Sequence, residues 1–266
     1  MPMWRTRFAL DLIARPRAIA YGEHRWQRAD LHLPRGDGPH PVIVTIHGGG
    51  WGPRYSKVLM KGLAGDLRRR GYAVWNVEYR RLGGKGGGVP ATLEDVTAAI
   101  DHLATLDAPL DLDHVIAIGH SAGGHLATWA AGRGNLRRGA PGHRPRVPLT
   151  GVVSQAGVVD LTSSAKAGGV AHDFVGGSPE EHPDRYKIAD PIRLLPFRIP
   201  TLLVHGEADD VVPLKRSRDF VTKARQAGDE VELIELDGRA GRHQAHINPA
   251  GRSWAAVTEW LARQRE

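Results

Sequence analysis

The chain has 266 residues, 41% hydrophobic and 24% charged, which is the balance of an ordinary globular protein and enough chain to bury one sizeable core. Its formal charge is +7 at pH 7, but Arg68-Arg69-Arg70 and Arg137-Arg138 are short clusters with no helix-turn-helix or finger pattern around them, which sets nucleic-acid binding aside. It contains no cysteine, which excludes disulfides, thiolate catalysis and Cys-ligated zinc.

Residues 1–14 carry basic side chains, but their apolar run is short and broken by Asp11, so they do not read as a secretion signal. No stretch approaches the ~18 consecutive apolar residues of a membrane span, and a cytoplasmic location with no membrane partner is the expectation. Segments 18–22 and 26–33 predict two short strands forming an opening hairpin. The β-branched run 41–46 reads as a strand buried on both faces of a parallel sheet, and it ends in His47-Gly48-Gly49-Gly50-Trp51. Helical spacing follows over 56–70, then a buried strand over 72–77. The glycine-rich loop 82–90 contains Lys85, but it lacks Gly-Lys-Ser/Thr and no helix begins at the lysine, so the phosphate-cradle reading is discarded.

A helix over 91–106 precedes a strand over 114–119 and a small-residue helix over 122–131. Residues 133–147 read as a polar surface loop and 149–154 as a strand. Residues 160–195 read as an insertion of short helices, a small lid over the sheet edge. A strand over 201–205, a helix over 214–226, a strand over 231–236 and a helix over 251–263 complete the chain. This alternation predicts one α/β domain with a mostly parallel, doubly wound sheet flanked by helices.

Between the strand 114–119 and its following helix stands Gly119-His120-Ser121-Ala122-Gly123. Glycine two residues either side of a serine, in a strand-to-helix turn, is the nucleophile-elbow pattern: the turn is too tight for side chains at the flanking positions. In such a sheet ligands lie beyond the carboxyl ends of the strands, and four polar patches fall there: His47–Gly50, Ser121, Asp209-Asp210 and the loop after Leu236. A serine hydroxyl needs a histidine to take its proton, and that histidine needs a carboxylate to fix its tautomer. The chain order Ser121, Asp209, His243 supplies all three types. His243 fits by its distance from Ile247-Asn248-Pro249, and His246 competes with it. Backbone amides must also meet the negative charge of a tetrahedral intermediate; Gly49, Gly50 and Ala122 are the candidate donors, with His47 holding the loop in shape. Trp51 either packs the core or walls the acyl pocket.

These residues, with Glu78-Tyr79-Arg80, the 90–96 segment and His205-Gly206-Glu207-Ala208-Asp209-Asp210-Val211-Val212-Pro213, resemble the α/β-hydrolase superfamily, in particular its lipase/esterase and kynurenine-formamidase-like branch. The resemblance extends over most of the chain from residue 41. It implies the α/β-hydrolase fold, with Asp209 as the triad acid and Asp210 as its neighbour. Relatives usually show Gly-His before the final helix, where this chain has Arg242-His243.

The resulting expectation is a serine hydrolase that cleaves small or aromatic carboxylic esters or amides through an acyl-enzyme, with no metal or organic cofactor implied. An arylformamidase is the nearest alternative, followed by a prolyl-oligopeptidase-type peptidase; a non-catalytic binding protein of the same fold is the reading from a different class. A homodimer is compatible with the sequence. The bland alternatives are a helix-capping role for Ser121, set aside on the coincidence of four strand-end patches, and a surface-turn carboxylate, which suits Asp210 better than Asp209; for His125 and His205 the bland reading, a plain hydrogen-bonded histidine, is the expectation. The 14 histidines include no His-Glu-x-x-His or tight His/Asp cluster.

Overall fold

The computed structural model describes residues 16–265 except 85 and 167. The stretch 1–14, read above for a secretion signal, and Lys85, on which the phosphate-cradle reading turned, lie outside the described residues. Eight described strands form one sheet: β1 (Arg17–Ala20), β2 (Arg28–His32), β3 (His40–Ile46), β4 (Ala73–Val77), β5 (Leu110–His120), β6 (Gly151–Gln155), β7 (Thr201–Gly206) and β8 (Val231–Leu236). Their order is β1-β2-β4-β3-β5-β6-β7-β8. The opening hairpin joins antiparallel at β2–β4, and every pairing from β4 through β8 is parallel.

Strand periodicity of two divides the apolar side chains between two faces. Ile43, Val74, Ile116, Ile118, Leu202 and Val204 face α1 (Lys61–Arg69) and the final helix, joining Leu63, Leu67, Trp254, Val257 and Trp260. The alternate positions, including Val42, Val44, Trp75, Ala117 and Leu203, form the larger core with α2 (Ala91–His102), α3 (Ala122–Gly132) and the helix Lys215–Gln226. That helix is α7, and the final helix, α8, is Arg252–Arg263. Both faces are covered, as continuous apolar strands require. Among the described residues no helix is long and apolar enough to cross a membrane.

Between β6 and β7 come α4 (Leu161–Ala165), α5 (Val170–Val175) and α6 (Pro183–Ala189). The insertion is tied to α3 by backbone carbonyls of α6: His125 donates to Ala189 O at 2.8 Å, and the Trp129 indole to Ile188 O at 2.7 Å. Asp190, buried just after α6, accepts the amides of Leu161 and Thr162 and so caps the first short helix.

Residues 133–147 are not simply a solvated loop. Arg133, Leu136 and Val147 are buried, and the Arg133 guanidinium donates to Asp101 Oδ1 at 2.6 Å and to Val147 O at 2.9 Å. A polar composition dominated by Gly, Pro and Arg hid one arginine whose charge is met by Asp101 of α2 and whose Nη2 also bonds its own loop.

Candidate active site

β5 enters α3 through Ser121, whose φ of 55° and ψ of −120° match neither a strand nor a helix. A Cβ on Gly119 would stand 1.9 Å from Gly123 O, and one on Gly123 would stand 2.0 Å from Ile46 O. Both obstacles are backbone, so only glycine fits either place. A non-glycine residue at positive φ costs on the order of 1–3 kcal/mol. Bonds on both sides hold it there: the Ser121 amide donates to Gln155 O at 2.9 Å, and its carbonyl accepts the His125 amide at 3.1 Å.

Asp209 lies in the turn after β7 with its carboxylate fully buried. Oδ1 accepts the amides of Val211 and Val212, each at 2.9 Å. Oδ2 faces His243 Nδ1 at 2.8 Å and His205 Nε2 at 3.3 Å. Burial alone would raise the pKa of this carboxyl, but the bonds from His205, His243 and the two amides outweigh it and hold the group well below the usual carboxylate range. Asp210 is exposed. His205 is more than a satisfied strand-end residue. It donates from Nε2 to Val212 O at 2.8 Å, and Ser217 Oγ meets its Nδ1 at 2.7 Å, so it braces the loop that presents Asp209.

The two candidate bases have different surroundings. His243 lines the cavity described below, with Nδ1 on Asp209. His246 is fully buried, its Nδ1 is 2.7 Å from Ser253 Oγ, and burial pushes its pKa down to about 4. The turn carrying both hangs from two strand-end side chains that the sequence reading passed over. His120 Nε2 donates to His243 O at 2.9 Å, and Gln155 Nε2 donates to His246 O at 2.8 Å. His120 and Gln155 are register partners on β5 and β6. Burial, with the neighbouring His243 second, brings His120 down to about 3, which keeps it a neutral donor.

The loop after β3 carries Gly49 at φ 108° and Gly50 at φ 60°, both in the left-handed region. Its entry is set by His47, whose Nδ1 donates to Gly48 O at 2.8 Å while Nε2 lies 2.9 Å from Glu78 Oε1. The ring stacks on Tyr79 at 4.4 Å, and the Tyr79 hydroxyl donates to His47 O. Arg80, the third residue of that motif, bonds Asp95 through its amide at 2.7 Å and its Nε at 2.9 Å, pinning the segment after β4 to α2. Ala122, the first residue of α3, has an amide with no acceptor inside its own helix.

Gly49, Gly50, Trp51, Ser121, Ala122 and His243 all line one cavity of about 420 Å³. Asp209 stands behind His243. Trp51 is 1% exposed, stacks on Phe174 of α5 at 4.4 Å and meets His125 edge-on, so it is both core and cavity wall. Val170, Ala171, Ser163 and Ser164 bring the insertion into the same wall.

Solved structures share this architecture. The truncated form of a carbohydrate esterase from gut microbiota superposes with a TM-score of 0.80 at 23% identity, covering 94% of this chain and 97% of that one. Esterase 2 of Thermogutta terrifontis, phosphoramylated by tabun, superposes with a TM-score of 0.74 at 22% identity, covering 94% and 92%. The fold is that of the α/β hydrolases, as the sequence motifs predict. The BD-FAE family model matches residues 29–224, and the chain belongs to that family. Esterase LipC of Mycobacterium tuberculosis is 26% identical over 246 residues, covering 84% of this chain and 58% of that protein. The chain spans about half the length of the curated relatives it matches.

Proposed function

We propose that this protein is a serine hydrolase that cleaves carboxylic esters of small or aromatic substrates. The reading is carried by the contact of Asp209 with His243 at 2.8 Å, with His243 and Ser121 lining one cavity. With its Nδ1–H donated to the Asp209 carboxylate, His243 keeps a lone pair on Nε2 to receive the Ser121 proton. Ser121 Oγ then bonds the ester carbonyl carbon, and the amides of Gly49, Gly50 and Ala122 meet the oxyanion. The imidazolium returns its proton to the leaving alkoxide, which leaves an acyl-enzyme. Water, deprotonated by His243, attacks the acyl carbon and releases the carboxylic acid and Ser121. Names among the relatives, such as esterase, support an ester over an amide. Trp51, backed by Phe174, gives the cavity an aromatic wall for an aromatic group, and it is what keeps an aryl formamide in view.

A fluorophosphonate probe should label the wild-type protein at Ser121 and leave Ser121→Ala unlabelled. Failure of folded wild type to label or to turn over 4-nitrophenyl butyrate would overturn the reading. Parallel assays with N-formyl-kynurenine separate ester from formamide preference. A cytoplasmic location belongs to the same proposal, and cell fractionation tests it.

A further inference from the structure

The cavity that holds Ser121 and His243 is walled by apolar side chains, among them Trp51, Leu59, Val158 and Val170. Among its described lining residues only one is a lysine, arginine, aspartate or glutamate, and that residue is Arg216. The other basic residues of the first turn of α7 find carboxylates: Lys215 pairs with Asp219 at 2.7 Å and Arg218 with Glu235 at 2.6 Å. Arg216 pairs with none among the described residues; its Nη2 reaches only the Ser163 carbonyl, at 3.3 Å.

The acid one turn along α7, Asp219, is held by Lys215, and Asp160, beside the Ser163 carbonyl that Arg216 reaches, accepts the Ser163 amide at 2.9 Å. Asp209, in the loop before α7, is occupied by His243 and the Val211 and Val212 amides, and Asp210 beside it is exposed. Helix stability does not explain the charge either, since a cation in the first turn has the wrong sign for the helix dipole. A guanidinium fork on the wall of a largely apolar cavity, short of acceptors, is a receptor for a planar anion.

We propose that Arg216 binds a carboxylate on the substrate, so that the preferred esters carry a second, negatively charged group away from the scissile bond. This rests on reading the cavity as an ester-hydrolysing site. The carboxylate can belong to the acyl half, as in a half-ester of a dicarboxylic acid, or to the alcohol half, as in an acylated hydroxybenzoate.

The test compares kcat/KM within matched pairs: 4-nitrophenyl hemiglutarate against its methyl ester, and 4-acetoxybenzoate against its methyl ester. In wild type at low ionic strength, one carboxylate member should exceed its neutral partner by roughly tenfold or more, the order of one charge-assisted bond. Arg216→Gln should bring that ratio down to about one, and Arg216→Lys should restore part of it; the pair that responds identifies the half. A ratio that Arg216→Gln leaves in place, or no preference in either pair, overturns the proposal. Calorimetry on Ser121→Ala protein with monomethyl glutarate and with 4-acetoxybenzoate reads the anion site without turnover. One of them should bind at least tenfold more weakly once Arg216→Gln is added, and binding of neither overturns the proposal. Wild type that hydrolyses none of the esters while Ser121→Ala still binds the anion would instead remove the hydrolase reading and leave Arg216 its role.

Discussion

His243 and His246 lie one turn apart, yet one opens onto the cavity and the other is sealed against Ser253. His243→Ala and Asp209→Asn should each lower kcat for 4-nitrophenyl butyrate by about 10³-fold or more, as removal of a triad member does. His246→Ala should instead lower the urea midpoint and leave the folded fraction active. A dead but stably folded His246→Ala protein would reverse the two assignments. Glycine spacing made the elbow legible because the requirement is local: a Cβ on Gly119 or Gly123 would stand 2.0 Å or less from backbone. The contacts of His120 and Gln155 were not legible. His120 meets a carbonyl 123 residues away and Gln155 one 91 residues away, and no short pattern encodes such pairings. The one hint was position, since His120 directly precedes the nucleophile candidate and Gln155 ends the neighbouring strand.

At the scale of elements, the central strands were legible because burial on both faces leaves uninterrupted apolar runs, and α1 and the last two helices because one stripe stays apolar. Composition misled only where a polar segment covers the core. Arg133 follows α3 and closes on Asp101 of α2 and on Val147 O. Arg133→Ala should therefore cost about 3 kcal/mol, the lower end for breaking a buried pair, because Asp101 keeps 22% of its surface in water. Urea unfolding measures it, and a loss below 1 kcal/mol would mean the loop re-forms without its arginine. Catalysis should survive in the folded fraction, since none of these groups lines the cavity.

For the molecule as a whole, three buried histidines tie stability to pH. Burial lowers His120 to about 3, and His125 and His246 to about 4, from an ordinary 6.5. Below pH 6.5 the unfolded chain takes up protons there and the native protein does not, so the unfolded state binds more and stability falls as pH falls. The contribution is intact above pH 6.5 and is lost progressively down to about pH 4, where His125 and His246 charge in the native state as well. Each histidine accounts for up to about 1.4 kcal/mol per pH unit within that window. Urea midpoints measured at pH 7.5 and pH 5 should drop clearly, and equal midpoints would show that these rings do not stay neutral. The segment between β6 and β7 leaves and re-enters the sheet at neighbouring strands, and it supplies Ser163, Ser164, Val170 and Ala171 to the cavity wall. Ser121, Asp209 and His243 come from other loops. On the function proposed above, side-chain changes in that one stretch of gene would reshape the wall a substrate meets and leave the proposed reacting groups on their own loops. Its bonds to His125 and Trp129, and the Phe174 stack on Trp51, set how much of it can be trimmed.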